Sequence, residues 1–291
     1  MERKGAALIV AAGLLWGTIG FFMRMMSLNG STFQLTCFVR MVFAFVFIFV
    51  LTVIRSGIKA FRIDRRTLLM CLLLGVVCHG IYNVMYSAAV DLLGMAVSCV
   101  LMNSAPVFTT LASMLFFGER PTPLRWTALA VNIVGCILAA AGEGADAAAI
   151  SITGILCGLG SGLCYGMTAI FGKLAGGETD SFVVSTYSYL FAVPVGLAAL
   201  MFSKPVQPNA GILGWGALLA LIPTGIAYLL YYGGLRRIKD TCRVPVLASG
   251  ECVVAALIGT AFFRETLSVV NIAGIALVLF SIFMMGRGER K

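Results

Sequence analysis

The sequence predicts an all-α integral membrane protein with ten transmembrane helices arranged as two inverted five-helix repeats. Of its 291 residues, 60% are hydrophobic and 11% are charged, so too few polar side chains exist to cover a water-soluble globule. Ten apolar runs of roughly 20 residues alternate with short polar links. Two five-residue stretches, Gly13 to Gly17 and Gly162 to Gly166, read almost alike 149 residues apart. The chain is therefore expected to lie in lipid and to contain an internal duplication.

Each apolar run is long enough to cross the bilayer once as a helix. Arg3 and Lys4 precede the first run as in a signal peptide, but this run is of span length and lacks a clear small-residue cleavage site, so we expect it to be retained. We number the predicted spans 1 to 10 in chain order, and they cover residues 5–27, 33–54, 67–90, 93–116, 124–142, 151–174, 182–203, 210–235, 243–263 and 268–286.

The basic residues predict the orientation of the spans. Ten crossings place both termini on one side, and cytoplasmic loops carry an excess of Lys and Arg. With the termini inside, 17 of the 21 basic residues lie on the inner side, Arg24, Lys204 and Arg264 lie on the outer side, and Arg40 lies within span 2. We therefore expect a multi-pass protein of the cytoplasmic membrane with both termini cytoplasmic. The net charge of +9 is then a topology signal, and we expect no nucleic-acid partner.

The sequence contains no recognisable catalytic or metal-binding motif. The nine cysteines lie within or beside apolar runs without a CxxC pair, which favours helix packing over metal or disulfide roles. HExxH, GxSxG and paired catalytic aspartates are absent, which disfavours an intramembrane enzyme using Glu251 or His79. We expect no catalytic residue, no metal and no cofactor.

The duplication extends over both halves and predicts a first repeat at residues 1–146 (spans 1–5) and a second at 147–291 (spans 6–10). Because five is odd, the second repeat enters the membrane from the opposite side, an arrangement typical of carriers whose site lies between the halves near the midplane. A three-residue loop difference explains a change of offset from 149 to 146 residues. The matches are Arg24 with Lys173 at 149, and Tyr82 with Tyr228, Tyr86 with Tyr232 and 117–120 with 263–266 at 146.

Two charged residues, Arg40 and Glu251, lie well inside the spans and away from their ends. Glu251 is about 12 Å from the inner end of span 9, where an acid costs about 2.5–3.5 kcal/mol unless it is protonated, paired or facing a wet cavity. It either binds a substrate amine or a proton, or it pins helices by hydrogen bonding. Arg40 lies roughly 10 Å from the outer face and either holds a carboxylate or fixes helix packing. If the two pair with each other, neither is free to bind ligand.

Polar and aromatic residues predict the remaining site wall. His79, Tyr82, Asn83 and Tyr86 recur at spacings of three and four on span 3, so they form either a cavity wall or a hydrogen-bonded helix seam. His79 is either a proton relay or a structural histidine. Further candidates, which either contact substrate or fill space between helices, are Trp16, Tyr165, Tyr228 and Tyr232.

Two further features concern helix geometry. Prolines inside spans predict kinks, with either a hinge or a static kink at residues 223–225. Glu119 and Glu265 at equivalent span ends predict boundary or gate roles. The prolines are Pro106, Pro194, Pro223 and Pro245.

Several motifs occur together in a fixed order: Trp16-Gly17 in span 1, Ala105-Pro106-Val107 leading to Phe117-Gly118-Glu119-Arg120, and Glu251 leading to Phe263-Arg264-Glu265-Thr266-Leu267. This order resembles the EamA family of the drug/metabolite transporter superfamily, ten-helix carriers built from two five-helix repeats. Glu251-Cys252 replaces the family's common Glu-Pro pair, and Arg264 replaces its usual glycine. The resemblance implies a central cavity lined by spans 1–4 and 6–9, peripheral spans 5 and 10, and transport of small metabolites, often amino-acid export.

We therefore predict a secondary transporter that moves a small metabolite, an amino acid or a related compound, outward by alternating access. Its expected partners are the small-molecule substrate, the lipid bilayer and coupled protons. An exporter of drug-like or cationic compounds and a non-transporting membrane scaffold or sensor remain alternatives, and the oligomeric state stays open.

Overall fold

The computed structural model describes residues 2–93, 95–140, 151–176, 179–263 and 268–287. Every regular element within these ranges is helical. Seven helical stretches there are long and apolar enough to cross a bilayer, and shorter apolar helices lie at predicted spans 4, 5 and 10. The prediction of a helical, multi-pass membrane protein is thereby confirmed.

Most spans coincide with one or two α-helices, and some are divided by short interruptions. The helices are α1 (Glu2–Trp16), α2 (Ile19–Leu28), α3 (Phe33–Ser56), α4 (Arg65–Leu73), α5 (Tyr82–Leu93), α6 (Met95–Met102), α7 (Ala105–Phe117), α8 (Pro123–Ala140), α9 (Ile152–Gly176), α10 (Ser181–Met201), α11 (Ala210–Leu219), α12 (Ala227–Leu235), α13 (Val244–Ala248), α14 (Gly250–Phe263) and α15 (Val269–Arg287). The proposed boundary between the repeats, at 146 and 147, lies outside the described residues.

Local sequence explains where the helices begin and end. Thr32, Asp180 and Asn209 precede α3, α10 and α11, and each side-chain oxygen accepts a hydrogen bond from a first-turn backbone N–H. Gly57 and Gly118 follow α3 and α7 with φ of 69° and 63°, in the left-handed region where glycine has no steric penalty.

Spans 3 and 8 each contain a π-helical turn, at Leu74–Ile81 and Ala220–Ile226. In the second, the hydroxyl of Thr224 donates to the carbonyl of Leu219 over 2.8 Å, and Pro223 lacks an N–H to donate. Such turns rotate the residues that follow relative to a regular helix. The two turns lie 146 residues apart, the offset that the tyrosine matches predict.

Two prolines do not kink a helix, contrary to the prediction from their positions within spans. Pro106 and Pro245 lie in the first turns of α7 and α13. At these positions the missing N–H would have no intrahelical partner in any case. The helix interruption in span 4 lies just before Pro106, at Asn103–Ser104. The interruption in span 9 lies just after the helix that contains Pro245, at Ser249. Pro194 lies within α10, as predicted.

The helices pack across the boundary between the two halves. α1 packs against α12, α13 and α14, α9 against α5, α6 and α7, α3 against α10, and α8 against α15. Many large apolar side chains outside these contacts are exposed, among them Phe49, Phe116, Leu156 and Phe280. Such a surface would be costly in water and matches a lipid environment.

Close helix contacts depend on glycine at two matched positions. A Cβ at Gly17 in span 1 would lie 2.6 Å from the carbonyl oxygen of Glu251, and one at Gly166 in α9 would lie 2.7 Å from that of Ala105. Both are shorter than any normal carbon-oxygen contact, so only glycine permits this approach.

Candidate functional site

An aromatic cluster lies where α1, span 3, α9, α10 and span 8 meet. We define it by its ring-bearing residues, which are Trp16, His79, Tyr82, Tyr165, Tyr189, Tyr228, Tyr231 and Tyr232. The Trp16 ring is central, with centroid distances of 5.0 Å to Tyr228, 5.0 Å to Tyr231 and 6.0 Å to Tyr165. These distances and tilted geometries are typical of favourable aromatic pairs.

His79 joins the cluster from the π-helical turn of span 3. Its ring stacks on Tyr189 at 4.7 Å with 15° between the planes, and meets the edge of Tyr228 at 4.8 Å. Its Nε2 lies 3.4 Å from the hydroxyl of the buried Tyr232. The histidine is thus enclosed by tyrosines, with one ring nitrogen near a hydroxyl group.

Arg40 is held at one side of this cluster by Asn83. The Nη2 of Arg40 donates to Oδ1 of Asn83 over 3.0 Å, and the thiol of Cys37 donates to the same oxygen over 3.2 Å. The Nδ2 of Asn83 donates to the carbonyl of His79. Within the described chain, the buried Nε–H of Arg40 has no acceptor. The guanidinium is therefore oriented but retains an unused donor.

Glu251 approaches the cluster from another side, in the first turn of α14, and is only partly exposed. The hydroxyl of Tyr165 lies close enough to its carboxyl group to interact with it electrostatically. In the described residues no ion pair joins Arg40 to Glu251. Tyr82 and Tyr228 interact electrostatically with both charged groups. This answers the question left open by the sequence, because in the described residues Arg40 and Glu251 form no ion pair and both lie within electrostatic range of Tyr82 and Tyr228.

Tyr86 and Asn83 connect the cluster to a cavity of about 230 Å³. The Tyr86 ring is nearly parallel to that of Tyr82 at 6.0 Å and also contacts Phe33 at 6.2 Å. Asn83 and Cys37 line the cavity, which reaches Asp91 near the end of α5. The residues predicted on one face of span 3 therefore divide between the cluster and this cavity, because the π-helical turn ends just before Tyr82.

Sequence reasoning missed Tyr189, Tyr231 and Cys37. Tyr189 and Tyr231 are almost completely buried, at 2% and 4% exposure. Buried tyrosines within apolar spans need polar partners, so their type and depth could have indicated them. The sequence offered no such signal for Cys37, because its contribution is a hydrogen bond to Asn83 that forms only when the two helices pack together.

A polar network closes the end of the bundle where α7 and α9 end and span 9 begins. Lys173 donates to Oε1 of Glu119 over 3.1 Å, to the hydroxyl of Thr241 over 2.7 Å and to the carbonyl of Lys239. Glu119 also accepts from the backbone N–H groups of Thr241 and Cys242, at 2.8 and 3.2 Å. Burial raises the pKa of Glu119, but these hydrogen bonds and the Lys173 charge outweigh it and hold the pKa below its ordinary value of 4.5.

This network gives Glu119 the helix-end contacts expected of a boundary residue. It ties α7 and α9 to the loop before span 9. The matching residue Glu265 lies outside the described residues.

A family model described as the EamA-like transporter family matches residues 3–141 and 152–287. The chain belongs to this family. A protein of Archaeoglobus fulgidus named as an uncharacterized transporter is 28% identical over 286 residues, covering 98% of this chain and 97% of the relative. The threonine/homoserine exporter RhtA of Escherichia coli (strain K12) is 26% identical over 221 residues, covering 75% of this chain and 71% of the relative.

A solved crystal structure has a similar fold. Its TM-score is 0.83 over 99% of this chain and 100% of that one, at 17% sequence identity. At this identity the likeness concerns the fold alone. Family membership and relatives named as transporters support a transport role in a lipid bilayer with a small-molecule substrate.

Proposed function

We propose that the protein is a secondary carrier that exports a small zwitterionic metabolite, an amino acid or a related compound, across the cytoplasmic membrane by alternating access. The proposed site comprises the aromatic cluster with Arg40 and Asn83 on one side, Glu251 on another and Tyr86 at its edge. Coupled protons are proposed as a further partner, since a carboxyl group within the membrane is a common proton carrier.

One observation carries this proposal: two opposite charges flank one aromatic cluster without neutralising each other. The Nε–H of Arg40 and the Nε1–H of Trp16 are buried without acceptors in the described chain. Buried donors are normally satisfied, so unpaired ones beside a charged pair favour a ligand with acceptor atoms. A zwitterion offers a carboxylate to Arg40 and Trp16 and an ammonium group to Glu251.

The proposed mechanism requires ten spans in two inverted repeats, at 1–146 and 147–291. Three observations support this arrangement. The family model matches twice, once in each half. The glycine contacts of Gly17 with Glu251 and Gly166 with Ala105 recur at the offsets of 149 and 146 residues, as do the π-helical turns at 146. Rocking one half against the other would then alternate access to a site between them.

The proposed orientation places both termini in the cytoplasm, following the excess of basic residues. The Glu119 and Lys173 network then lies on the cytoplasmic side, and the cavity at Asp91 on the outer side. The outward direction follows the relative named as a threonine/homoserine exporter.

Counterflow in liposomes tests the proposal. The purified protein would be assayed with labelled threonine, homoserine and other small amino acids, with and without a pH gradient. We expect specific counterflow that falls at least about tenfold in Glu251→Gln, because the variant keeps the side-chain volume but cannot balance an ammonium charge. Glu2→Gln, which removes a carboxylate at the start of α1, is the matched control and should retain flux.

The outcomes separate the site from the function. Wild-type counterflow in Glu251→Gln, with the pH-gradient effect also unchanged, would contradict any role of Glu251. Absence of counterflow for every compound tested with the wild type would contradict the carrier and favour a scaffold or sensor. Loss of the pH-gradient effect in Glu251→Gln, with counterflow retained, would assign Glu251 to proton coupling alone.

A second candidate is an exporter of cationic compounds, favoured by the tyrosine and tryptophan faces around Glu251. Arg40→Met distinguishes the two. A zwitterion carrier should lose counterflow because its substrate carboxylate loses a partner, whereas a cation carrier should keep it or improve. The control is Arg62→Met, an exposed arginine outside the site.

A further inference from the structure

A basic cavity of about 450 Å³ lies at the end of the bundle where α1 begins, away from the aromatic cluster. It is bounded by the start of α1, the end of α3, the start of α10 and the end of α12. We infer that this cavity binds the phosphate headgroup of an anionic glycerophospholipid. The inference does not depend on the proposed transport activity.

Three arginines supply the charge that a phosphate needs. Arg55, Arg236 and Arg237 line the cavity, and no carboxylate in the described part of the chain forms an ion pair with them. The guanidinium of Arg55 lies over the Phe182 ring at 4.5 Å, which orients it. An Nη1–H of Arg237 donates to the carbonyl of Gly233, which leaves its other donors unused. Arginine forks match phosphate oxygens well.

The acidic residue of the cavity is already engaged. Asp180 accepts from the backbone N–H of Phe182 at 3.2 Å and from the hydroxyl of Ser181 at 3.4 Å, so it caps α10. Among the described residues, the lining therefore combines three positive charges with one negative charge. A dianion would neutralise this excess and a monoanion would halve it, whereas a neutral ligand would leave it unchanged.

The wall of the cavity favours a lipid over free phosphate. Leu8, Leu229 and Leu230 line it beside the arginines, and each is partly buried on α1 or α12. These leucines belong to membrane-spanning helices, so the cavity joins a charged headgroup level to an apolar level. An acyl chain can follow the leucines while the phosphate meets the arginines. Basic pockets between transmembrane helices near the cytoplasmic face are suited to anionic headgroups.

Native mass spectrometry of the purified protein in neutral detergent tests the inference. The probes are dioleoylphosphatidylglycerol and dioleoylphosphatidylcholine, titrated separately. We expect preferential binding of phosphatidylglycerol, weakened about fivefold by Arg55→Gln and about twentyfold by Arg236→Gln with Arg237→Gln, since each basic residue contributes about fivefold in affinity. The control, Arg62→Gln with Arg66→Gln, removes the same charge from exposed positions outside the cavity and should leave affinity unchanged.

Three results would overturn the inference. Equal weakening in the control pair would show non-specific charge attraction, and equal binding of both lipids would remove the anionic preference. Displacement of bound phosphatidylglycerol by millimolar inorganic phosphate would assign the cavity to free phosphate. If the double variant does not fold, Arg55→Gln on α3 still gives the test, and Arg236→Lys with Arg237→Lys should retain most binding because charge is preserved.

Discussion

The two ends of span 9 show the same contact built twice. Near its start, the ammonium of Lys173 lies over the Phe117 ring at 4.6 Å, and at its end the guanidinium of Arg24 lies over Phe263 at 4.2 Å. The cations match at 149 residues and the rings at 146. The contacts lie at opposite ends because Lys173 also reaches Thr241, two residues before span 9 begins, whereas Phe263 is its last residue. Residues that match between the two halves of the sequence thus make related contacts at the two ends of the bundle.

The chemistry at the centre is not duplicated. Gly17 packs on the carbonyl of Glu251 and Gly166 on that of Ala105, but only the first pair carries an acid. Span 1 is interrupted after Trp16, whereas α9 runs unbroken through Gly166. The glycines therefore permit close helix packing in both halves, while Glu251 belongs to the proposed site and has no acidic counterpart at the matching position in the first half. The predictions below test that distinction.

Moving an acid to the matching position should cause the largest effect. Ala105 is 1% exposed, so Ala105→Glu would bury a carboxylate and is expected to lower the free energy of unfolding by about 3 kcal/mol. Titration with SDS measures this. Ala105→Gln adds similar volume without charge, and an equal loss in both variants would show that crowding, not charge, distinguishes the halves.

Adding one methyl group should destabilise the protein to different extents at Gly13 and at its match in the second half, Gly162. A Cβ at Gly13 would collide with backbone of Ala248, whereas one at Gly162 would first meet the Ser104 hydroxyl oxygen at 2.5 Å, a side-chain atom that can rotate away. We expect Gly13→Ala to lose about 2 kcal/mol more than Gly162→Ala in the same SDS titration.

Gly20 offers a control for helix propensity, because a Cβ there meets nothing within 4 Å. Gly20→Ala should be neutral or slightly stabilising. Equal losses at Gly13 and Gly162 would mean that both halves relax equally and would remove this difference between them.

Removing the Lys173 cation should increase exposure at its own end of the bundle and leave the opposite end unchanged. Lys173→Met removes an ion pair with Glu119, and we expect labelling of Cys242 by a maleimide to accelerate about fivefold, corresponding to about 1 kcal/mol. Mass spectrometry of peptides follows this thiol separately. Arg24→Met acts at the opposite end and should leave Cys242 labelling unchanged; acceleration in both variants would show general loosening.

Acidification should produce the smallest of these effects, a modest loss of thermal stability. The pKa of Glu119 is lowered in the folded protein, so its contribution to stability is present above the ordinary value of 4.5 and is lost as pH falls through the lower folded value. The thermal midpoint should therefore fall on acidification below about pH 4.5, and Glu119→Gln should reduce that dependence. An identical pH profile in the variant would assign the acid sensitivity to other groups.

The sequence predicted a helical membrane protein because runs of about 20 apolar residues have few stable alternatives to crossing lipid. It also predicted the aromatic positions at Trp16, Tyr165 and Tyr228, since residues matched by duplication occupy matched places. Their assignment to a substrate site remains a prediction. Local sequence also determines the helix ends at Asp180 and Gly118, because capping there depends on neighbouring residues alone.

Only the tertiary structure decided how the charged residues are partnered. Arg40 donates a hydrogen bond to Asn83, whereas Glu251 lies within electrostatic range of Tyr165, although their depths allowed the two charges to pair. Depth follows from counting residues, but the direction of a side chain depends on helix rotation, which the π-helical turns alter, and on which helices pack together. Those contacts join residues far apart in the chain. Tyr189 entered the cluster for the same reason, because its partner His79 lies on a helix that only folding brings beside it.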